Sequence, residues 1–264
     1  MNLFKKIISK FPFFYKLVYK LVYSKFYKKP HNGHGTHVPA LNKILDFLWC
    51  EKKDSLIVLE FGTGLYSTKN ISLKLNSFNE NITIKNKHMF LSLDHSHEWL
   101  KKTEKDFKAI EKFTNHVFIY SGGDSKDNWI KTIKNLSLNL KGSIPDLVFI
   151  DSFPWESRTL ALNEFKNIGK IIMIHDVDYY PHNNIWGEEL DPIKNKPISR
   201  WRYGNLKKEN LGYRDYSKIF EYWIEFFPFE PGYFTGPPTL IGSNVINVKK
   251  NLLENLQKKG ICLT

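Results

Sequence analysis

Two glycines follow an acidic residue in the segment LEFGTGLYST, which covers residues 59–68. Glu60 closes an apolar run, and Gly62 and Gly64 stand in the turn behind it. Glycine lets backbone approach a ligand closely, and the start of a helix offers unpaired N–H groups. The segment therefore predicts a ligand-binding turn between a buried strand and a helix, with the Glu60 carboxylate placed to receive an ammonium group.

A second acidic residue, Asp94, closes the apolar run MFLSLD at residues 89–94. In a parallel sheet, ligands bind outside the carboxyl ends of the strands, where the strand order reverses. A ribose diol bound at that edge would lie within reach of Asp94. Two acidic strand ends are stronger evidence for such a site than one pair of glycines.

Three further side chains that can handle a proton or a metal end two later apolar runs. Asp151 closes PDLVFID at residues 145–151, and His175 and Asp176 close GKIIMIHD at residues 169–176. Asp151 and Asp176 could hold Mg²⁺ or Mn²⁺, since hard cations prefer carboxylate oxygen. His175 could instead be a general base, or a hydrogen-bonded histidine at a strand end. We predict that all three are catalytic.

Helical patterns alternate with these apolar runs, which predicts an α/β fold with a Rossmann-like, doubly wound and mainly parallel sheet covered by helices on both faces. The expected strands are 55–61, 89–94, 116–121, 145–151 and 169–176, and the expected helices are 41–49, one from Ser67 or Thr68, 97–113, 129–140 and 157–168. Residues 220–227 and 239–248 would close the sheet as an antiparallel pair.

Three regions are expected along the chain. Residues 1–29 form a basic amphipathic helix, residues 30–54 a linker and first helix, and residues 55–264 the main domain. That domain carries an insertion at about 179–216, rich in turn formers and aromatic residues, which we interpret as a lid over the site.

The formal charge of +12 allows attraction to an anionic membrane, an acidic sugar or nucleic acid. Residues 1–29 place lysines opposite an aromatic-rich apolar face, as in a helix lying on an anionic bilayer, although a helix packed on its own domain would look similar. Lysine interrupts the apolar stretches too often for an export signal, and Cys50 and Cys262 suggest no disulfide framework or zinc site. We expect a cytoplasmic protein, peripheral at the cytoplasmic membrane face.

The pattern ExGxG, then an acidic end to strand two and an aspartate at the end of strand four, resembles the class I S-adenosylmethionine-dependent methyltransferases over roughly residues 55–178. The resemblance implies S-adenosyl-L-methionine as cofactor. It implies contacts to the methionine part from Glu60, Gly62 and Gly64, a helix start at Ser67, ribose binding by Asp94 and adenine contact from Gly122 and Asp124. Asp94 lies further from the glycines than the usual separation of about 20 residues, which a loop insertion at 76–87 would absorb.

Within that superfamily, VFIDSFPWESRTLAL followed by GKIIMIHDVDYY resembles sugar O-methyltransferases. This implies methylation of a sugar hydroxyl on a glycan or lipid-linked saccharide, with a divalent metal or the acceptor bound by the strand-four aspartate and an acidic pair after strand five. His175 stands in place of the first acidic residue of that pair, so one of the carboxylates expected to bind a metal is missing. Arg158 would face either the acceptor or a carboxylate in solvent.

The segment HNGHGTHVPAL, from residue 31, resembles one found in a bacterial and viral group of such enzymes. The resemblance implies that His34, Thr36 and His37 close over cofactor or acceptor, with His37 as a substrate contact. His31, His34 and His37 could also form a metal site, although a capping turn is the simpler interpretation.

Two other functions stay open. An NAD- or FAD-binding oxidoreductase would share the sheet and the glycine turn, but Ser67 stands where GxGxxG has its third glycine. A non-catalytic binding module is the other, although no recognisable motif for reading nucleic acid occurs, so nucleic acid is not an expected partner.

Overall fold

The structure is a computed structural model that describes residues 35–52, 54–79, 87–107, 114–140, 142–177, 190–191, 196–197, 216–228 and 239–264. The helix predicted at residues 1–29 and most of the insertion predicted at 179–216 lie outside these ranges. Among the described residues, no helix is both long and apolar enough to cross a membrane.

Six helices and ten strands are found in the described part of the chain. The helices are α1 (Val38–Lys52), α2 (Ser67–Asn79), α3 (His97–Phe107), α4 (Lys126–Asn139), α5 (Trp155–Phe165) and α6 (Val248–Gln257). The strands are β1 (Ile57–Phe61), β2 (His88–Asp94), β3 (Thr114–Tyr120), β4 (Leu147–Ile150), β5 (Ile171–Ile174), β6 (Leu190–Asp191), β7 (Lys196–Pro197), β8 (Tyr222–Pro228), β9 (Thr239–Ser243) and β10 (Gly260–Leu263).

Eight of these strands form one sheet in the order β10-β8-β9-β5-β4-β1-β2-β3, while β6 and β7 pair separately. Strands β1 to β5 are parallel, and β9 is antiparallel to both β5 and β8. The chain runs outward from β1 to β3 and then returns to β4, so the order reverses between β1 and β4. This confirms the predicted Rossmann-like α/β fold.

The late part of the chain contains more than the predicted antiparallel pair. Strand β9 ends at Ser243, and the chain then forms α6, which begins beyond its N-cap residue Asn247. Strand β10 follows and adds an antiparallel edge to β8. The prediction of a strand over 239–248 was therefore too long, because Asn247 caps a helix by accepting a hydrogen bond from the Lys250 N–H.

Two other helix starts differ from the predictions. Helix α4 begins at Lys126 instead of at residue 129, because the Ser125 side chain accepts a hydrogen bond from the Asn128 N–H and caps the helix. Helix α1 begins at Val38, whose N–H bonds to the Gly35 carbonyl at 3.0 Å. The earlier start of α1 places the preceding turn, which contains Thr36 and His37, against the sheet.

Strand β4 shows how the sheet is covered on both faces. Leu147 and Phe149 join one hydrophobic core with α1, α2 and α6, while Val148 and Ile150 join a second core with α4 and α5. All four side chains are buried, as expected for a parallel strand between two helical layers. The core therefore fixes the position of the loops at the carboxyl edge of the sheet.

Gly242 on β9 provides a test of core packing. A Cβ atom built there would lie 2.3 Å from the Phe220 ring, so Gly242→Ala forces the ring to move. We expect the free energy of unfolding to fall by about 1–3 kcal/mol in urea denaturation. The double variant with Gly242→Ala and Phe220→Leu should lose less free energy of unfolding than the two single variants lose in sum. Unchanged stability in Gly242→Ala would contradict this packing.

Candidate functional site

The glycine turn after β1 is held against the end of β4. Gly62 has a φ angle of +91°, which favours glycine, and a Cβ atom there would lie 2.4 Å from the backbone oxygen of Asp151. The Gly62 N–H also donates to the Leu93 carbonyl at 2.8 Å. The turn thus lies at the point where the strand order reverses, as predicted for a ligand site of this fold.

Glu60 lies beneath this turn and is fully buried. Its carboxylate accepts hydrogen bonds from the hydroxyls of Thr68, at 2.9 and 3.0 Å, and Ser92, at 2.7 Å. The Thr68 hydroxyl in turn accepts from the Gly64 N–H at 2.9 Å. We expected Glu60 to meet a ligand ammonium, but its contacts in this structure are internal and hold the turn to α2.

Burial controls the protonation of Glu60. Removal from water raises the pKa of this carboxyl from 4.5 to about 8, against the opposing effect of hydrogen bonds from Ser67, Ser92 and Thr68. The buried carboxyl is therefore largely protonated at neutral pH. Its contact with a ligand ammonium stays a prediction.

Asp94 fixes the residue between the two glycines. One of its carboxylate oxygens accepts from the Thr63 N–H at 2.9 Å and from the Thr63 hydroxyl at 3.0 Å, and the other accepts from the Ser96 N–H at 2.9 Å. The Trp99 indole N–H donates to the Thr63 carbonyl at 2.8 Å. The predicted ribose residue therefore also sets the shape of the turn.

A cavity of about 400 Å³ opens above the turn. Ligand pockets in proteins usually measure about 300–1,000 Å³. The lining combines the β1 turn and the start of α2 with one residue each from the turn before α1, from α3 and from the end of β4. The lining residues are His37, Thr63, Gly64, Leu65, Tyr66, Ser67, Trp99 and Asp151. The predicted cofactor turn and the predicted catalytic Asp151 therefore share one cavity.

Arg158 ties together the ends of β4 and β5. Its guanidinium donates to the Ser152 carbonyl at 2.8 Å, to the His175 carbonyl at 2.7 Å and to the Asp151 carboxylate at 2.7 Å. Only 6% of its side chain is exposed. The predicted contact of Arg158 with an acceptor does not fit this placement, because the guanidinium is directed into the protein.

His175 lies among three partners at the end of β5. Its Nδ1 atom is 3.1 Å from an Asp151 oxygen and 3.4 Å from an Asp176 oxygen, and its Nε2 atom is 2.7 Å from the Thr36 hydroxyl. Burial lowers the pKa of His175, but the charges of Asp176 and Asp151 outweigh this effect and raise it above 6.5. These two carboxylates therefore favour the charged form of His175.

The pKa of Asp151 moves in the opposite direction. Burial would raise it, but the charges of His175 and Arg158 hold it well below its ordinary value. Asp151 is thus an ionised carboxylate at the cavity wall. Asp176, the second carboxylate of this cluster, has a backbone φ of 58°, which is uncommon for a residue other than glycine.

His37 is the neutral member of the cluster. Its ring lies 4.5 Å from the His175 ring and 4.9 Å from the Phe149 ring, measured between centroids, and only 1% of the residue is exposed. Within the described part of the chain, neither ring nitrogen has a hydrogen-bond partner. Burial, followed by the charge of His175, lowers the pKa of His37 well below 6.5, so its lone pair is available.

The predicted Mg²⁺ or Mn²⁺ site at Asp151 and Asp176 does not fit this donor set. A hard cation requires a shell made mainly of oxygen. His175 lies between the two carboxylates, and the described groups nearest to the Asp151 oxygen are imidazoles. The chemistry of the cluster is therefore that of mixed nitrogen and oxygen ligands.

Gly122 and Asp124 lie on the turn after β3. Gly122 has a φ of +88°, and its carbonyl accepts a hydrogen bond from the Asn128 side chain. Asp124 is exposed, and neither residue is among those that line the described cavity. Their contact with an adenine stays a prediction.

Several residues that shape the site were not predicted from the sequence. Thr63, Thr68, Ser92 and Trp99 carry the hydrogen bonds around the turn. Of these, Ser92 could have been found from the sequence, because it is a polar residue inside the apolar run MFLSLD. In the sheet, Ser92 pairs in register with Glu60. A polar residue on a strand covered on both faces needs a buried partner.

The chain was compared with known proteins. No family model matches it, and no curated protein matches it. Among solved structures, it is similar to the 16S rRNA methylase ArmA, with a TM-score of 0.37 and 14% sequence identity, over 81% of this chain and 86% of that chain. A likeness of this degree fixes no function, so the functional argument rests on the site itself.

Glu60 gives a pH-dependent prediction. Its folded pKa of about 8 exceeds the ordinary 4.5, so its contribution to stability is complete below pH 4.5 and is lost as pH rises through 8. The loss amounts to about 5 kcal/mol at most. In urea unfolding between pH 5 and pH 9, Glu60→Gln should lack this slope. Glu98→Gln, at an exposed position, should show the same fall of stability with pH as wild type. The same fall in Glu60→Gln would contradict the raised pKa of Glu60.

Proposed function

We propose that this protein is an S-adenosylmethionine-dependent methyltransferase that methylates a sugar hydroxyl of a glycan or lipid-linked saccharide. One observation carries the proposal: a single cavity is lined by the glycine turn after β1 and by the acid–base pair His37 and Asp151. Methyl transfer to oxygen needs a cofactor site and a proton acceptor within one enclosed space.

The cofactor end of the cavity suits an amino acid joined to a nucleoside. Ser67 is the first residue of α2 and lines the cavity, and N–H groups of a first helical turn lack intrahelical partners and attract carboxylate. Tyr66 and Trp99 supply aromatic surface for an adenine. Asp94 lies at the adjacent strand end, where a ribose diol would bind.

The other end of the cavity suits a hydroxyl acceptor. The bond from the methyl carbon to the acceptor oxygen forms as its bond to the sulfonium sulfur breaks, and the hydroxyl proton must leave. His37 takes this proton, because its lowered pKa favours the neutral form, whereas the charges of Asp176 and Asp151 raise the pKa of His175 and make it less suited to be the base. The products are S-adenosylhomocysteine and a methyl ether.

The choice of a saccharide rests on the resemblance of residues 148–162 and 169–180 to sugar O-methyltransferases. Residues 1–29 support a location at the cytoplasmic membrane, because their lysines and apolar residues suit an anionic bilayer surface where lipid-linked saccharides are exposed. An NAD- or FAD-dependent oxidoreductase is the alternative, since it would use the same glycine turn.

Cofactor binding is tested by calorimetric titration with S-adenosylhomocysteine. Wild type should bind with micromolar affinity, and Gly64→Val should abolish binding because a Cβ atom there would lie 3.2 Å from the Ser67 hydroxyl, and both residues line the cavity. Ser143→Val is the control, an exposed change before β4, at the opposite edge of the sheet. Failure of wild type to bind, with binding of a nicotinamide or flavin dinucleotide, would instead identify an oxidoreductase.

Acceptor and base are tested with radiolabelled S-adenosylmethionine against saccharides, RNA and protein. Saccharide should be methylated, and His37→Gln should lower kcat about 10²- to 10⁴-fold without weakening S-adenosylhomocysteine binding. Because the pKa of His37 is lowered, the wild-type rate should stay constant from neutral pH down to 6.5 and fall only below it. Exposed His97→Gln should behave as wild type, and methylation of RNA or protein alone would refute the saccharide assignment.

A further inference from the structure

We infer that His37, Asp151 and His175 form a binding site for a borderline divalent transition metal such as Zn²⁺. The ligand atoms that these three residues offer lie within 4.8 Å of one another. The residues come from three separate parts of the chain: the turn before α1 and the ends of β4 and β5. The inference is independent of methyl transfer, because it concerns what the side chains bind.

His37 provides the first independent observation. It is 1% exposed, and within the described residues both of its ring nitrogens lack a hydrogen-bond partner. Burying an unpaired polar group costs free energy, so such groups are rare unless a ligand satisfies them. His37 also lines the cavity with Asp151, which places its lone pair where an ion can enter.

The surroundings of His175 and Asp151 provide a second observation. The Nε2 atom of His175 lies 2.7 Å from the Thr36 hydroxyl, which leaves Nδ1 directed at Asp151. Metal-bound histidines almost always donate their second N–H to a fixed partner. Arg158 holds the other Asp151 oxygen at 2.7 Å and leaves the oxygen near His175 for a ligand bond.

The donor set determines the class of metal. Two imidazoles and one carboxylate suit Zn²⁺, Fe²⁺ or similar ions, whereas Mg²⁺ prefers oxygen. Bonds of about 2.0–2.2 Å to zinc would draw the three side chains slightly closer and displace the proton that His175 shares with Asp151. Three protein ligands leave one position open, as in catalytic zinc sites.

A metal ion held by these residues would lie at the wall of the cavity, because His37 and Asp151 line it. A bound Zn²⁺ would supply Lewis acidity, which lowers the pKa of a hydroxyl at the open position. In the metal-bound form His37 would act as a ligand, and the acidified hydroxyl would no longer need it as a base.

The test is zinc titration of the untagged full-length protein against a chromophoric chelator, without S-adenosylmethionine, together with the visible absorption of the Co²⁺ form. One equivalent of metal should bind, and His37→Gln, Asp151→Asn and His175→Gln should each weaken binding by more than about 100-fold. Thr36→Val, which removes only the hydrogen bond to His175, should weaken it about 10- to 100-fold. Circular dichroism checks that each variant is folded.

Two controls make the result specific. Exposed His97→Gln should bind zinc like wild type, and so should the double variant His31→Gln with His34→Gln. Absence of zinc binding, or binding that survives His37→Gln, would overturn the inference. Tight Mg²⁺ binding in preference to Zn²⁺ would overturn it as well. Since the titration contains no cofactor, its failure leaves the S-adenosylhomocysteine result unaffected.

Discussion

The close approach of the β1 turn to the end of β4 is the constraint on which the site depends. At Gly62 there is no room for a side chain, because the Asp151 backbone occupies the space that a Cβ atom would need. This contact joins the two halves of the sheet where the strand order reverses. It also brings the Asp151 carboxylate to the same cavity as Gly64 and Ser67. One backbone contact thus brings the β1 turn and the end of β4 to the same cavity.

Electrostatic balance holds the other side of the cavity together. Arg158 and charged His175 face the carboxylates of Asp151 and Asp176, so positive and negative charges are paired at the ends of β4 and β5. Buried charges are tolerated when they are paired and hydrogen-bonded. His37 is placed beside this charged group but remains neutral. The cluster therefore combines a fixed charge distribution with one available lone pair.

The strand-end residues could be predicted from the sequence because parallel strands bring their carboxyl ends to one edge. Glu60, Asp94, Asp151 and His175 follow from this rule and from the apolar runs that precede them. Their partners could not be predicted in the same way. Thr36 and His175 are 139 residues apart, and only the packing of the α1 turn on the sheet brings them together. Arg158 was expected to face either the acceptor or a carboxylate in solvent, because a helical pattern alone does not show which way a side chain of α5 turns relative to the sheet. In the structure its three acceptors lie at the ends of β4 and β5.

The hydrogen bond from Thr36 to His175 has a mechanical consequence. Thr36 is fully buried and directly precedes His37 in the turn before α1. A displacement of the turn at Gly35, Thr36 and His37 would therefore act on the His175 ring through the Thr36 hydroxyl, and on the His37 ring directly. The turn before α1 is thus the element whose displacement would shift both imidazoles together.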